Sequence, residues 1–285
     1  MFGDPGNRVA PKGVRVKVSI VTISFNQAQF LERAIRSIVE QDYSDIEYIV
    51  VDAGSTDGSR DIIERYRDHI ATVVFEPDRG PADGLNKGFA QATGDIFGYI
   101  NADDEYLPGA LSGAVAAFRA KPDIDVICGH GYIVDGNGKP TKRFRSDLFD
   151  ARRFALGGVV VMQQSTFFRR AAFTNGSGFN IENKTSWDGE LMLEMSLADM
   201  RFAVAHEYWS IFRIYPNSIS GSQRMANESR RNWDRYFQRY FGRLPKRGDW
   251  PMKLWARVEK RILDPVGLWL RIWDPIFGAP KLKSL

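Results

Sequence analysis

The stretch VKVSIVTISFNQAQFLERAIRSIV, residues 16–39, decides the fold because it contains a strand, a turn and a helix in immediate succession. Its first part, Val16 to Ile23, is apolar and rich in β-branched residues, which predicts a buried strand. Apolar residues then recur at positions 30, 31, 34, 35, 38 and 39, a three- and four-residue spacing that predicts one face of an amphipathic helix. A strand that leads directly into a helix is the first half of a βαβ unit.

The same alternation continues through the first 120 residues. Strands are predicted at Ile46–Asp52, Thr72–Phe75 and Ile96–Ile100, with helices near Ser59–Arg67 and Ala82–Ala92 between them. Helices of about ten residues between short strands indicate parallel strands joined by right-handed crossovers. This half of the chain is therefore predicted to form an open α/β sheet flanked by helices.

After Asp123 the alternation is less regular, so the sheet is predicted to become mixed. The turn sequence DGNG at 135–138 predicts a hairpin. QQSTFFR at 163–169 and YWSIFRI at 208–214 are predicted strands, and WDGELMLEMSLA at 187–198 is a predicted helix. The second half thus adds strands and one long helix to the first.

Polar residues follow each of the first four predicted strands. They are Ser24 to Asn26, Asp52 to Asp57, Glu76 to Asp83 and Asn101 to Asp104. In open α/β sheets, ligands bind in the crevice beyond the carboxyl ends of the strands. We therefore expect these four loops to face one pocket.

Two adjacent carboxylates, Asp103 and Asp104, follow the strand at 96–100. Unpaired they would repel each other, and a hard divalent cation such as Mg²⁺ or Mn²⁺ would relieve that repulsion and bind phosphate oxygens. The pair alone would more often cap the following helix. Together with the other three loops, the cation site becomes the favoured interpretation.

The turn after the second strand carries Asp52, Ser55 and Asp57. Asp52 emerges from the strand itself, so its carboxylate could accept hydrogen bonds from a nucleobase or ribose; the alternative is an Asx-turn that caps the next helix. Neither GxGxxG nor GxxxxGK[ST] occurs in the sequence. A bound nucleotide is therefore not expected to lie in a dinucleotide or P-loop cradle.

The chain has 285 residues, 44% hydrophobic and 26% charged, which indicates a globular protein of one large domain or a domain with an extension. One cysteine excludes a disulfide framework, and no run of 18 apolar residues occurs. Residues 1–15 are polar and rich in Gly and Pro, so we expect a mobile leader rather than a secretion signal. These features indicate a cytoplasmic protein.

The net charge of +4 is unevenly distributed. Residues 1–223 carry 24 basic and 29 acidic groups, whereas residues 224–285 carry 15 and 6, which are net charges of −5 and +9. The second segment also contains five of the seven tryptophans. Because the basicity belongs to this segment alone, nucleic acid is not an expected partner.

Three stretches together resemble a family 2 glycosyltransferase of GT-A fold: VSIVTISFNQAQFLERAIRSIVEQ at 18–41, IEYIVVDAGSTDGS at 46–59 and DRGPADGLNKGFAQATGDIFGYINADDEYLPGAL at 78–111. The resemblance implies a GT-A domain over 16–222, with a nucleotide-binding half at 16–120 and an acceptor half at 121–222. It also implies an inverting transfer of a sugar from a nucleoside-diphosphate sugar, by first choice a UDP-sugar, to an acceptor hydroxyl with Mg²⁺ or Mn²⁺.

The resemblance assigns roles to donor-side residues. Those expected at the nucleobase are Ser24, Phe25, Asn26 and Asp52, and those expected along the nucleoside and sugar are Asp83, Asn86 and Lys87. In the sequence NADD, Asn101 stands where many members have the first acid; Asp103 is expected at the ribose or metal, and Asp104 as the main metal ligand.

An inverting transfer also needs a general base for the acceptor hydroxyl. Asp188 in SWDGELML resembles the acidic motif of the family and is the first candidate, with Glu190 second. The alternative is that both acids simply favour the dipole of a helix first turn. By the same resemblance Gln164 is expected at the floor of the sugar or acceptor site, and Arg213, with Ser218 and Ser220, at the diphosphate. The alternatives are an ordinary β-strand around Gln164 and a solvated turn at the two serines.

Residues 223–285 are predicted to form a helical, basic and aromatic tail. Met252, Leu254, Trp255, Val258, Ile262 and Leu263 can share one helical face. Basic amphipathic helices with tryptophan suit the surface of an anionic bilayer, so we expect peripheral attachment to the inner face of the cell membrane and a glycan or lipid-linked acceptor. The alternative is packing on the catalytic domain or on a second subunit of an oligomer.

The function expected from the sequence is therefore sugar transfer in the synthesis of a surface polysaccharide. Two other functions use the same features. A sugar nucleotidyltransferase would share the nucleotide pocket but attack phosphorus and release pyrophosphate. A non-catalytic nucleotide-sugar-binding membrane scaffold would share the pocket and the tail without any turnover.

Overall fold

The computed structural model describes residues 15–176, 178–222, 226–269 and 272, with the backbone alone described at residues 226 and 227. The predicted leader, apart from Arg15, and the last part of the predicted tail lie outside the described residues. Within the described part, nine strands form one mixed sheet and helices cover both of its faces. The predicted fold class is confirmed.

The first half alternates strands and helices as predicted. Its strands are β1 (Val18–Ser24), β2 (Ile46–Asp52), β3 (Thr72–Val74), β4 (Ile96–Asn101) and β5 (Glu105–Tyr106). Its helices are α1 (Ala28–Val39), α2 (Ser59–Arg65), α3 (Pro81–Gln91) and α4 (Ala110–Ala120). β1 to β4 lie side by side in the order β3-β2-β1-β4 and are parallel. Their carboxyl ends consequently share one edge.

The second half makes the sheet mixed. Its strands are β6 (Val126–Val134), β7 (Pro140–Phe144), β8 (Thr166–Arg169) and β9 (Phe202–Arg213), and its helices are α5 (Ala151–Ala155), α6 (Arg170–Thr174) and α7 (Trp187–Leu197). β6 and β7 form the predicted hairpin. β8 is antiparallel to both β4 and β6, and β9 is parallel to β6, so β9 runs in the same direction as β4.

The core has two layers because successive residues of a strand face opposite sides of the sheet. Ile20 of β1 packs with the buried residues of α1, α2 and α4. Its neighbour Val21 packs on the other side with α3 and α7. Gly88 of α3 lies so close to β1 that a Cβ atom there would be 2.4 Å from Cγ1 of Val21.

The described part of the tail contains two long helices, α8 (Ala226–Phe241) and α9 (Trp250–Leu263). Both pack on the second half of the sheet domain. Tyr236 of α8 is buried in a cluster with Phe154 of α5 and Met192 of α7, and Phe237 is buried against Ala256 of α9. The tail is therefore attached to the domain through a hydrophobic contact of its own.

Strand β9 connects the tail region with the edge where β4 ends. In its middle, Nε2 of His206 lies 3.6 Å from Oδ1 of Asp264, the residue that follows α9. Its last residue, Arg213, reaches the carboxyl edge, where its amide donates a hydrogen bond to Asp104. One continuous strand thus spans the distance between the two regions.

Candidate active site

A cavity of about 660 Å³ opens at the carboxyl ends of β1 and β4. All four predicted loops contribute to its wall, through Ser24, Phe25, Ala53, Asp78, Gly80, Asn101 and Asp103. The opposite wall comes from the second half of the chain and includes Met162, Gln163, Gln164, Thr185, Trp187, Asp188, Arg213 and Tyr215. The predicted convergence of distant segments on one pocket is therefore present in the structure.

The loop after β1 contributes an aromatic ring and a hydroxyl to the cavity. Phe25 is 59% exposed at the rim, so its ring face is available for stacking. The buried hydroxyl of Ser24 has no hydrogen-bond partner within the described residues, which leaves it available to a bound molecule. Asn26 instead joins two loops, since its amide donates to Ser55 and its side chain accepts from Thr56.

Asp52 lies fully buried behind the cavity wall. Its carboxylate accepts hydrogen bonds from the amides of Gly54 and Ser55, from the Ser55 hydroxyl and from Nε of Arg60. Burial alone would raise the pKa of Asp52, but the bonds from Ser55 and Arg60 lower it. The carboxylate therefore builds its own Asx-turn, and contact with a nucleobase would require it to exchange one of these partners.

The three predicted residues of α3 lie outside the cavity lining. Asp83 accepts a hydrogen bond from the amide of Arg79, and Nζ of Lys87 donates to the carbonyl of Pro77. The Asn86 amide both donates to and accepts from the backbone of Phe179, at 2.8 and 2.9 Å. These contacts hold α3 against its neighbours.

The NADD turn presents one of its two acids to the cavity. Asp103 lines the wall, and burial raises its pKa despite the nearby Tyr215 hydroxyl and Arg213. Asp104 is buried underneath, because its amide bonds to the carbonyl of Asn101 and turns the chain back. Of the two predicted metal ligands, the structure therefore brings only Asp103 to the cavity surface.

The carboxylate of Asp104 is surrounded by donors from three segments. It accepts hydrogen bonds from Asn101 at 3.1 Å, from Gln164 at 2.8 Å and from the amide of Arg213 at 3.0 Å. Burial, followed by the charge of Asp103, raises its pKa well above the usual range. Gln164, predicted at the floor of the site, is thus a neighbour of the NADD turn.

The cavity offers oxygen ligands for a divalent cation. Asn101 and Asp103 both line the wall, and the buried Oδ1 of Asn101 has no hydrogen-bond partner in the described ranges. A carboxylate and an amide oxygen are typical ligands of Mg²⁺ and Mn²⁺, so these residues fit the predicted metal. The described residues contain no cluster of three or more His, Cys, Asp or Glu side chains, so such a cation would need further oxygen ligands.

Arg213 lines the cavity, but its guanidinium is bonded to the protein. It donates to Glu105 at 2.5 Å, to the carbonyl of Asp103 at 3.1 Å and to that of Asp135 at 3.2 Å. The predicted phosphate contact is therefore also a support of the NADD turn. Ser218 and Ser220 line the same wall, and the Ser218 hydroxyl donates to Tyr215 within a turn.

The two candidate bases have different surroundings. Asp188, in the first turn of α7, lines the cavity, and burial raises its pKa. Glu190 lies outside the cavity lining and accepts hydrogen bonds from Asn180, Asn183 and Arg235. The geometry therefore favours Asp188 as the proton acceptor.

Several cavity residues were not predicted from the sequence. Tyr215 bonds to Gln27 across the cavity at 3.1 Å, and Trp187 lies beside Asp188. Asp78, whose pKa is raised by burial, also lines the wall. Their positions in the sequence were the available signal. Asp78 lies in a predicted loop and Gln27 directly follows one, whereas Trp187 begins a predicted helix and Tyr215 directly follows a predicted strand.

The strand order, the cavity at the edge of the sheet and the NADD turn define a glycosyltransferase-type GT-A fold. A family model described as glycosyl transferase family 2 matches residues 19–176, just over half of the chain. The chain belongs to this family.

Two curated relatives show the range of similar proteins. An uncharacterized glycosyltransferase from Nostoc sp. is 37% identical over 127 residues, which are 44% of this chain and 39% of the relative. A GalNAc(5)-diNAcBac-PP-undecaprenol β-1,3-glucosyltransferase from Campylobacter jejuni is 36% identical over 100 residues, 34% of this chain and 32% of the relative. The chain thus spans 39% and 32% of the length of these two relatives.

Two solved structures share the fold. TarS of S. aureus in complex with UDP-GlcNAc aligns with a TM-score of 0.65 and 19% identity, over 86% of this chain and 72% of TarS. The mannosyltransferase PcManGT from Pyrobaculum calidifontis, in complex with GDP-Man and Mn²⁺, aligns with a TM-score of 0.60 and 21% identity, over 97% and 79% of the two chains. At these identities the likeness supports the fold alone.

None of the helices in the described part of the chain has the length and apolar character needed to cross a bilayer.

Proposed function

We propose that this protein is an inverting glycosyltransferase that moves a hexosyl group from a nucleoside-diphosphate sugar to an acceptor hydroxyl. The observation that carries the proposal is the shared cavity of Asp103 and Asp188. One acid comes from the turn after β4 and the other from the first turn of α7, and both line the same 660 Å³ hollow. Membership of family 2 supports the same reaction class.

In the proposed reaction, Phe25 stacks on the nucleobase and the Ser24 hydroxyl bonds to the nucleoside. Asp103 and Asn101 would hold a divalent cation, which when bound compensates the charge of the diphosphate. Asp188 accepts the proton of the acceptor hydroxyl as that oxygen bonds to the anomeric carbon. The bond from this carbon to the diphosphate breaks, and the diphosphate leaves with the electron pair. Attack opposite the leaving group inverts the anomeric centre.

Asp188 is suited to this step by its environment. Burial raises its pKa, so its carboxylate is a stronger base than an exposed aspartate. The neighbouring Trp187 and Thr185 line the same wall and can exclude water from the reacting hydroxyl. Asp52 and Asp104, two predicted ligands that lie behind the cavity wall, stabilise the turns after β2 and β4, which form the donor side of the cavity.

We propose a UDP-sugar as donor and a glycan or lipid-linked glycan of surface polysaccharide synthesis as acceptor. The TarS structure with UDP-GlcNAc and the undecaprenol-linked substrate in the name of the Campylobacter relative support this choice. The PcManGT complex with Mn²⁺ supports a metal. Residues 223–285 would then attach the enzyme to the inner face of the cell membrane, close to such an acceptor.

Donor binding is tested first by thermal shift with UDP-, GDP- and dTDP-sugars, each with and without Mn²⁺. A ligand that binds the native state raises the unfolding temperature. We expect the largest shift with a UDP-sugar and Mn²⁺. No metal-dependent shift with any of the three nucleotides would contradict the proposal.

The Asp188→Ala variant then separates the three candidate functions. A glycosyltransferase should retain the donor-induced thermal shift and lose sugar transfer, measured as release of UDP. A nucleotidyltransferase would instead release pyrophosphate from a nucleoside triphosphate and a sugar phosphate. A non-catalytic scaffold would show no turnover in the parent chain under either assay.

A further inference from the structure

Helix α9 contacts the domain through one narrow face, the inner face, formed by Ala256, Glu259 and Lys260. Ala256 is fully buried against Gly158. A Cβ atom added at Gly158 would lie only 2.9 Å from the Cβ atom of Ala256. Glu259 forms an ion pair with Arg152. Residues three and four apart lie on the same side of a helix, so these three contacts define its orientation.

The third contact is the ion pair between Lys260 and Asp147, with Nζ and Oδ2 2.8 Å apart. Both of these side chains are largely buried. Together with Ala256 and the Glu259–Arg152 pair, it fixes the rotation of α9 about its own axis.

The opposite side, the outer face, consists of Trp250, Leu254, Trp255, Val258 and Ile262. Each of these side chains is between 43% and 65% exposed. Exposed apolar residues continue past the end of α9 with Val266, Leu268, Trp269 and Ile272. A concentration of exposed apolar side chains of this kind marks a surface that binds something apolar.

Basic residues lie beside the outer face. Arg257 and Arg261 directly precede Val258 and Ile262 in the helix, and Arg257 is exposed. Tryptophan with arginine or lysine at the border of an apolar stripe is typical of helices that lie in the interface of an anionic bilayer. The charge of the whole tail, 15 basic against 6 acidic residues, matches an anionic surface.

We propose that the outer face of α9 inserts into the interface of an anionic bilayer while the inner face keeps the helix on the domain. This inference rests on the location given under the proposed function and names the surface that achieves it. The two ion pairs and the buried Ala256 of the inner face hold the apolar side of the helix away from the domain. The helix therefore binds the membrane without leaving the enzyme.

The inner face also links the membrane to the cavity. Its partners Asp147, Arg152 and Gly158 belong to the segment that continues into Val161–Gln164, which lines the cavity wall. Only two residues separate Gly158 from this wall. The helix that we propose to bind the bilayer therefore packs on the segment that leads directly into this wall of the cavity.

The test uses the full chain and vesicles of phosphatidylcholine with or without phosphatidylglycerol. The variant Trp255→Ser/Ile262→Ser removes two apolar side chains of the outer face. Phe75→Ser changes an exposed apolar residue that directly follows β3, the far edge strand of the sheet, and serves as the control. We expect the double variant to lose about tenfold or more in affinity for the anionic vesicles in sedimentation, because less apolar area is inserted. The control variant should bind like the parent.

A second measurement reports the orientation. The single cysteine, Cys128, is buried, so a cysteine introduced at residue 258 or 262 can be labelled selectively with an environment-sensitive dye. Dyes at these two positions should shift to shorter emission wavelength when anionic vesicles are added. A dye at the exposed Gln238 of α8 should not shift.

Two results would overturn the proposal. One is equal vesicle binding by the parent and the double variant. The other is a parent chain that does not bind vesicles and forms a dimer in sedimentation velocity, while the double variant is monomeric. A second copy of the chain would then cover the outer face. The donor-induced thermal shift is measured on the same variants, so failure of nucleotide-sugar binding is distinguished from failure of membrane binding.

Discussion

Asp188 is in contact with the cavity, yet its surroundings disfavour its charged form. A raised pKa in the folded state means that the carboxyl stabilises the fold when protonated and that this contribution is lost as the pH rises through the raised pKa. At neutral pH the ionised group therefore costs stability. Such a cost at a cavity wall is typical of a group retained for function.

For Asp188→Asn we accordingly expect transfer to fall by about 10²- to 10⁴-fold, the usual contribution of a general base. The unfolding temperature at neutral pH should stay equal or rise, because the buried charge is removed. Steady-state kinetics and thermal unfolding measure the two effects. Glu182→Gln, an exposed acid of the neighbouring loop, is the control and should change neither; a matching loss of transfer there would contradict the assignment.

The pH dependence of Asp188 gives a second expectation. A base acts in its deprotonated form, so the rate should fall as the pH decreases through the raised pKa. The acidic limb of the profile of kcat/KM against pH should therefore lie above the range of an ordinary aspartate. A rate that stays constant down to that ordinary range would exclude Asp188 as the base.

Cation binding at the NADD turn should depend on pH in a related way. Burial raises the pKa of Asp103, and a metal must displace the proton to bind. We expect the stabilisation by Mn²⁺, measured as a thermal shift, to grow as the pH rises through that pKa and to disappear in Asp103→Asn. The control Asp83→Asn alters an acid outside the cavity lining and should retain the shift; its loss there would point to another metal site.

The sequence predicted the site residues unevenly, for a physical reason. Hydrophobic periodicity locates the loops at the ends of strands, which include Ser24 and Asp103, and the family resemblance identifies Asp188. All three residues line one cavity. Periodicity does not determine where a side chain points within a turn. Asp52 and Asp104 point inward because nearby amides and side-chain donors bond their carboxylates, and those partners follow from the folded geometry alone.

At the scale of elements, the strands and helices of the first half agree with the predictions to within a few residues because each buries a regular apolar face. The structure also contains the short strand β5 and the short helices α5 and α6, which the sequence patterns do not predict. β5 has two residues and pairs with β9, about a hundred positions away in the sequence. Local patterns carry no information about such a partner.

The close contact between α3 and β1 leads to a specific prediction about stability. Gly88→Ala should lower the free energy of unfolding by about 1–3 kcal/mol, since the added methyl group would overlap Val21 and overpack the core. This loss should appear although alanine favours a helix by roughly 1 kcal/mol over glycine. Urea denaturation measures it. At Gly248 an added Cβ atom would have no atom within 4 Å apart from its chain neighbours. The free energy of unfolding of Gly248→Ala should therefore stay within about 0.5 kcal/mol of that of the parent.

At the scale of the whole molecule, helix α8 of the tail is part of the folded unit. Tyr236 and Phe237 of α8 are almost fully buried, and the Tyr236 hydroxyl bonds to Ser186, next to α7. A chain ending at residue 222 should therefore lose about 3 kcal/mol or more of stability, from about 1.5–3 kcal/mol for each buried aromatic ring. Thermal unfolding and binding of a hydrophobic dye measure the change; an unchanged midpoint would show that the helices pack independently.

In the proposed membrane-bound enzyme, the length of strand β9 sets a minimum length for the acceptor. From His206, beside the residue that follows α9, to Arg213 at the cavity, the strand has seven steps of at most about 3.3 Å, which gives an upper limit of about 23 Å because irregularities interrupt its pairing with β6. β6 pairs with β9 along this stretch and β5 pairs with it at Ser210 and Ile211, so these contacts hold its length. On a membrane-bound enzyme, the reacting hydroxyl would have to lie at a comparable distance from the lipid surface. A lipid carrier that bears a single sugar should therefore react more slowly than a carrier that bears several sugars.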